Sequence, residues 1–289
     1  MRIGKLSAGL FLVAVFLVSR CFALVFSVIQ HTNDVNGTHK PSVELWADNH
    51  SAGSKEENIA QLTKFAESLP LLGRVHLVIE SKFFYQFNCL VSRDFDALLD
   101  EMGGAFFAQD PNASTWIAWD LPFVLIKIFN DQPLPEYINL TPDQKNLIKQ
   151  NITVDFLDPR LQLEKPDVAP KVALNLEQHV EEKFVTANNR SPKKTREALY
   201  SYVTSRVSDK SEESRGPSSY DHLFDIEALS SIVASLYDDD RSAPKIIVLC
   251  GAWHAYHLDL IMPSLELNKR KEYKLMAPVQ NPVARKLIF

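Results

Sequence analysis

The sequence predicts an α/β protein in which a mainly parallel or mixed sheet is flanked by helices, with a signal peptide before this domain. Two observations predict the sheet. Short apolar runs alternate with segments in which apolar residues recur at helical spacing. The runs at 42–47 and Val75–Glu80 also flank such a helical segment, at 55–69, within about 40 residues. This spacing is typical of a βαβ unit and therefore of a parallel strand pair.

The first 23 residues have the three parts of a cleavable signal peptide. Two basic residues precede an almost uncharged apolar run at 6–19, and Cys21 and Ala23 are the small residues expected before the cut. The run has about 14 residues, whereas a helix that spans a membrane needs roughly 20, so cleavage is favoured over a retained anchor. We expect a secreted or periplasmic protein whose mature chain begins near Leu24.

The remaining chain is predicted to contain a polar lead-in at 24–41 and a single α/β domain at 42–289. Thr141 followed by Pro142 predicts an N-cap and the start of a helix. The apolar segments at 114–120 and 123–129 each fit either strand or helix. The other predicted elements are a short helix at 94–102, a strand at 152–157, helices over most of 172–206, a mobile loop near 208–219, a helix at 225–237, a strand at 245–250 and a helix from 255 that Pro263 kinks or ends.

Composition excludes several classes of function. The formal net charge of −5 lacks the basic footprint of a nucleic-acid-binding protein. No second long apolar stretch follows the signal, so no membrane association is expected after cleavage. Export permits a disulfide between Cys89 and Cys250, but Cys250 ends an apolar run, which favours a buried thiol.

Polar side chains follow three of the predicted strands. The turn ADNH, which ends in His50, follows the strand at 42–47, and the turn GAWH, which ends in His254, follows the strand at 245–250. Glu80 ends a third strand. Ligands bind at the carboxyl ends of parallel strands, so these three side chains are expected to converge. Two imidazoles and one carboxylate form a recurrent metal-binding set that leaves coordination positions open.

Each of these residues also has a structural interpretation. A strand-end histidine often caps a polar turn, and Glu80 is also interpretable as a solvated strand end. Arg160 follows a strand and offers a fixed charge for an anionic transition state, or it forms only a turn with Asp158. Cys250 near His254 resembles a thiol–imidazole pair but lacks an evident third residue. His257 is either a helix-face residue, an outer residue of the site or an alternative ligand.

The order ADNH, Glu80, an arginine motif and GAWH resembles the TraB/Tiki superfamily, whose relatives include ChaN-like and erythromycin-esterase-like proteins. By this resemblance His50, Glu80 and His254 occupy the motif positions, and Arg160 is a looser match. Ala47 departs from the pattern, because the family has glycine there. If that position required a positive φ, alanine would be strained.

The resemblance implies an exported metal-dependent hydrolase, with peptides or small molecules as substrates. His50, Glu80 and His254 would bind a divalent ion such as Mn, Co, Zn or Fe. Asp48 would act as a base or orient His50, and Arg160 would stabilise an oxyanion. The ChaN-like branch implies an alternative, which is a non-catalytic haem- or partner-binding protein on the same scaffold.

Overall fold

The computed structural model describes residues 25–32, 41–48, 55–81, 117–157, 170–208, 221–237 and 244–274. The predicted signal peptide and the helix predicted at 94–102 lie outside these residues, as do His50, Cys89, Arg160 and nearly all of the loop near 208–219. Within the described part of the chain, no helix is both long enough and apolar enough to cross a membrane.

The centre of the fold is a six-stranded mixed sheet with the order β4-β3-β5-β2-β1-β6. The strands are β1 Val25–Thr32, β2 Ser42–Asp48, β3 Val75–Glu80, β4 Ile152–Leu157, β5 Lys245–Gly251 and β6 Asn268–Lys274. Strands β4, β3, β5 and β2 are parallel neighbours, whereas β1 runs antiparallel to both β2 and β6. The prediction that 42–47, 75–80 and 245–250 are adjacent strands of one sheet is therefore confirmed.

Helices cover both faces of this sheet. They are α1 Lys55–Ser68, α2 Ile117–Phe129, α3 Pro142–Asn151, α4 Pro170–Asn188, α5 Lys193–Ser208, α6 Asp221–Tyr237 and α7 Ala252–Ile261. Buried residues of α1, α2 and α3 pack with Leu77 and Ile79 on one face, while those of α4 to α7 pack with Val78 on the other. Side chains alternate along a strand, so Glu80 lies on the same face as Val78.

Several local predictions are confirmed by the ends of the helices. The Thr141 side chain accepts a hydrogen bond from the Gln144 backbone N–H at 3.2 Å, and the Gln144 side chain accepts one from the Thr141 N–H at 2.8 Å. This capping box starts α3 as the sequence predicts. The two apolar segments that fitted either strand or helix belong to one helix, α2, from Ile117 onwards. Helix α7 ends at Ile261, immediately before a 3-10 turn that contains Pro263.

Two strands differ from the sequence prediction. Strand β1 lies within the segment predicted to be a polar lead-in. The prediction missed it because polar side chains are buried in this strand. Ser27 and His31 are as buried as Ile29, and Nε2 of His31 lies 2.9 Å from Oδ1 of Asp259 on α7. Strand β6, with the sequence NKRKEYK, was not predicted because its charged residues are typical of an edge strand rather than a core strand.

Candidate functional site

Glu80 and His254 meet at the carboxyl edge of the sheet. Glu80 ends β3, and His254 lies in the first turn of α7, which follows β5 directly. Because β3 and β5 are parallel neighbours, the two side chains come together, with Nε2 of His254 3.5 Å from Oε1 of Glu80. His254 is 5% exposed and Glu80 is 7% exposed, so Glu80 is not a solvated strand end.

The turn between β5 and α7 holds the Glu80 carboxylate. Gly251 is the last residue of β5 and the N-cap of α7, and its backbone N–H donates a hydrogen bond to Oε2 of Glu80 at 2.7 Å. The amino end of a helix carries a partial positive charge, so this location also favours a negative side chain. The carboxylate is therefore held by one oxygen while the other faces His254.

A carboxylate from α6 joins two histidines of α7. Nδ1 of His254 lies 2.7 Å from Oδ1 of Asp225, and Nδ1 of His257 lies 2.7 Å from Oδ2 of the same residue. Burial by itself raises the pKa of the Asp225 carboxyl, but its interactions with the two imidazoles more than offset this effect, and the resulting pKa is below the usual value. Asp225 is therefore an ionised carboxylate inside the protein.

This geometry places a hydrogen on Nδ1 of each imidazole. An ionised carboxylate only accepts hydrogen bonds, so each Nδ1 donates its hydrogen to Asp225. In the neutral imidazole of His254 the lone pair is then on Nε2, the atom that faces Glu80. The Phe224 ring packs edge-on against the His254 ring, with centroids 4.6 Å apart, and restricts its rotation. Histidines that bind metals commonly have this arrangement, with the second nitrogen donating to a carboxylate.

Several negatively charged side chains lie near Cys250 at the carboxyl edge of the sheet. Asp48 ends β2 in register with Gly251, and it is 1% exposed. Burial raises the pKa of the Cys250 thiol well above its usual value, and the negative charges of Glu80, Asp225 and Asp48 raise it further. Cys250 is thus a buried, protonated free thiol rather than a nucleophile.

Ala47 occupies its position without backbone strain. It lies inside β2, paired with Cys250 of β5, and its side chain is buried in the apolar cluster under α4 to α7. It is not among the described residues with positive φ. The position that the TraB/Tiki-like pattern gives to glycine therefore accepts alanine here as an ordinary strand residue.

The structure brings together Glu80 and His254 and places Asp48 at the same end of the sheet, in register with Gly251, whereas His50 and Arg160 lie outside the described residues. Among the residues that are described, no group of three or more His, Cys, Asp or Glu side chains is arranged to hold a metal ion. Sequence reasoning missed Asp225, which lies 29 positions before His254 on another helix. A signal was present, because Asp225 interrupts an apolar stretch of α6 and must be paired if it is buried.

Comparisons with known proteins leave the relationship of this chain open. No protein-family model matches it, and no curated protein matches it either. The TraB/Tiki resemblance accordingly remains an expectation that rests on the short motifs around His50, Glu80, Arg160 and His254.

Proposed function

We propose that the protein is an exported metal-dependent hydrolase of TraB/Tiki-like type, with Glu80, His254 and His50 as ligands of a divalent ion. The observation that carries the proposal is the hydrogen bond between Asp225 and Nδ1 of His254, since it directs the lone pair of Nε2 towards Glu80. The 3.5 Å between Nε2 and Oε1 of Glu80 falls within the roughly 3–4 Å that separates donor atoms around a shared ion.

The described donors fit a divalent transition metal. Imidazole nitrogen and carboxylate oxygen together suit Mn, Co, Zn and Fe. The carboxylates of Asp48, Glu80 and Asp225 create a negative potential at this edge, as their effect on the pKa of Cys250 indicates. An ion bound here would polarise a substrate carbonyl and lower the pKa of a bound water molecule.

The residues of the chain have separate roles in this proposal. Gly251 and the amino end of α7 hold Glu80 in place, and Asp225 orients His254. Asp48, at the end of β2, serves as a base or orients His50, which follows two residues later. Arg160 supplies positive charge for an oxyanion. The substrate class is a peptide or a small molecule with a hydrolysable carbonyl group.

A metal analysis tests the proposal. The purified protein is equilibrated with Mn²⁺, Co²⁺, Zn²⁺ or Fe²⁺, and the bound metal is measured together with hydrolysis of peptide and ester probes. We expect about one ion per chain in the wild type, and a loss of metal and hydrolysis in His254→Ala. His179→Ala is the matched control, because His179 is exposed on α4, and it should behave as wild type. A folded wild type that binds none of these ions contradicts the proposal.

Two further measurements test the alternative function and the predicted signal cleavage. A haem titration tests the alternative, since uptake of haem without uptake of a divalent ion would favour the binding-protein interpretation. The intact mass of exported material tests the processing, which we expect to leave a chain that begins near Leu24. A mass that retains residues 1–23 would contradict signal cleavage.

A further inference from the structure

We infer that His257 is a positioning residue, which acts through Asp225 to set the orientation and the tautomer of His254. The inference rests on the proposed function only for its consequence, which is the metal affinity. Its geometric basis is one carboxylate shared by two imidazoles, with both Nδ1 atoms 2.7 Å from Asp225 oxygens.

The sharing constrains the carboxylate. Asp225 is 1% exposed, so each of its oxygens depends on a partner within the protein. With His257 on Oδ2, the plane of the carboxylate is held so that Oδ1 accepts the hydrogen bond from His254. Without His257, the carboxylate would turn to give Oδ2 another donor, or it would admit water. Either change would release His254 from its present orientation.

His257 is itself held from several sides. It is 6% exposed, and its backbone carbonyl accepts a hydrogen bond from the Tyr202 hydroxyl on α5 at 3.2 Å. The Trp253 ring packs edge-on against the imidazole, with centroids 4.6 Å apart, and the Tyr256 ring lies 6.0 Å away. These contacts place Nδ1 towards α6, so Asp225 meets a donor whose position is already determined.

The rival interpretation is that His257 is itself a metal ligand. The two interpretations differ in which nitrogen of the ring has the functional role. A positioning residue uses Nδ1, whereas a ligand whose Nδ1 is bonded to Asp225 would use Nε2. The side-chain nitrogen of asparagine is as many bonds from Cβ as Nδ1, and that of glutamine as many as Nε2. His257→Asn therefore retains the positioning donor alone, His257→Gln does not, and His257→Leu removes both nitrogens.

The experiment compares these three variants with the wild type in two measurements. The first is the tautomer of His254, read from its side-chain nitrogen shifts by NMR in metal-free protein labelled at histidine. The second is the Mn²⁺ or Co²⁺ affinity by titration, with thermal unfolding as the check that each variant folds. We expect His257→Asn to keep the Nδ1–H tautomer and the affinity. His257→Gln and His257→Leu should lose the tautomer and lower the affinity about 10- to 100-fold.

Each outcome decides the inference. A wild-type His254 tautomer in His257→Leu overturns it, and so does a His257→Asn variant that binds metal as poorly as His257→Leu, because His257 would then be a ligand. If the wild type binds no ion, the proposed function fails. The tautomer measurement still tests the positioning, since it needs no metal.

Discussion

The backbone N–H of Gly251 donates a hydrogen bond to Oε2 of Glu80 at 2.7 Å, across 171 positions of sequence. This bond ties the end of β3 to the start of α7, and it leaves Oε1 facing His254. A side chain that ends one parallel strand is thus held by the backbone at the end of its neighbour. The same residue therefore contributes both to stability and to the proposed metal site.

Two substitutions at Glu80 separate these contributions. Glu80→Ala removes the acceptor of a buried N–H and should lower the free energy of unfolding by about 1–3 kcal/mol. Glu80→Gln keeps an oxygen acceptor for Gly251 but loses the charge, so it should unfold closer to wild type while its metal affinity falls. Urea unfolding and metal titration give the two quantities. Wild-type metal affinity in Glu80→Gln would exclude the carboxylate as a ligand.

Asparagine at position 225 should impair the site with little change in overall structure. Its amide nitrogen donates rather than accepts, so Asp225→Asn cannot accept hydrogen bonds from both His254 and His257. One imidazole must change its tautomer or move, and metal affinity should fall about 10- to 100-fold. The control is Asp143→Asn, since Asp143 is exposed in the first turn of α3 on the other face of the sheet. Equal affinities in the two variants would rule out the role of Asp225.

Some of this architecture follows from local sequence, and some depends on distant contacts. Glu80 and His254 could be expected to converge, because each closes an apolar run and parallel strands align their carboxyl ends. Asp225 could not be assigned to the site, since nothing local to α6 indicates that two histidines of α7 pair with it. The same limitation hid β1, where His31 is fully buried beside Asp259.

Acid should destabilise the fold through Asp155 of β4, which is paired with Val78 of the neighbouring strand β3. Burial raises the pKa of this carboxyl, but the hydrogen bond and charge of His76, together with the Ser231 hydroxyl and the charge of Lys183, outweigh this effect and lower the pKa to about 2. The Ser231 hydroxyl donates to Oδ2 of Asp155 at 2.6 Å, and its oxygen lies 2.8 Å from Nε2 of His76.

The sign of this pH effect follows from a pKa that is lower in the folded than in the unfolded chain. The stabilisation is present above the unfolded value of 3.8, and it is lost as the pH falls through about 2. We expect Asp155→Asn to lower the free energy of unfolding by about 2 kcal/mol at neutral pH and by much less near pH 2. Chemical unfolding as a function of pH measures this difference. A constant difference between wild type and Asp155→Asn would show that the carboxyl is not titrating as expected.

Cys250 should resist modification in the folded protein. Its thiol is fully buried, and both burial and the neighbouring carboxylates raise its pKa, so little thiolate exists at neutral pH. Alkylation of the peptide that contains Cys250, followed by mass spectrometry, should occur only after unfolding. Cys250→Ala should retain metal binding and hydrolysis. Rapid alkylation of the native protein, or loss of hydrolysis in a folded Cys250→Ala, would instead support the thiol–imidazole pair.

Replacing Ala47 by glycine, the residue that the TraB/Tiki-like pattern has at this position, should weaken the fold without improving the site. Ala47 is 3% exposed inside β2, and it is not among the described residues with positive φ, so glycine relieves no strain. The added backbone freedom of the unfolded chain should lower the free energy of unfolding by about 0.5–1 kcal/mol. Ala60→Gly, at an exposed position of α1, is a control with a similar backbone penalty far from Glu80 and His254. Metal affinity should be the same in both variants and in the wild type. An increase in metal affinity or hydrolysis confined to Ala47→Gly would mean that the alanine methyl group obstructs the site, and that close approach rather than φ explains the glycine of the pattern.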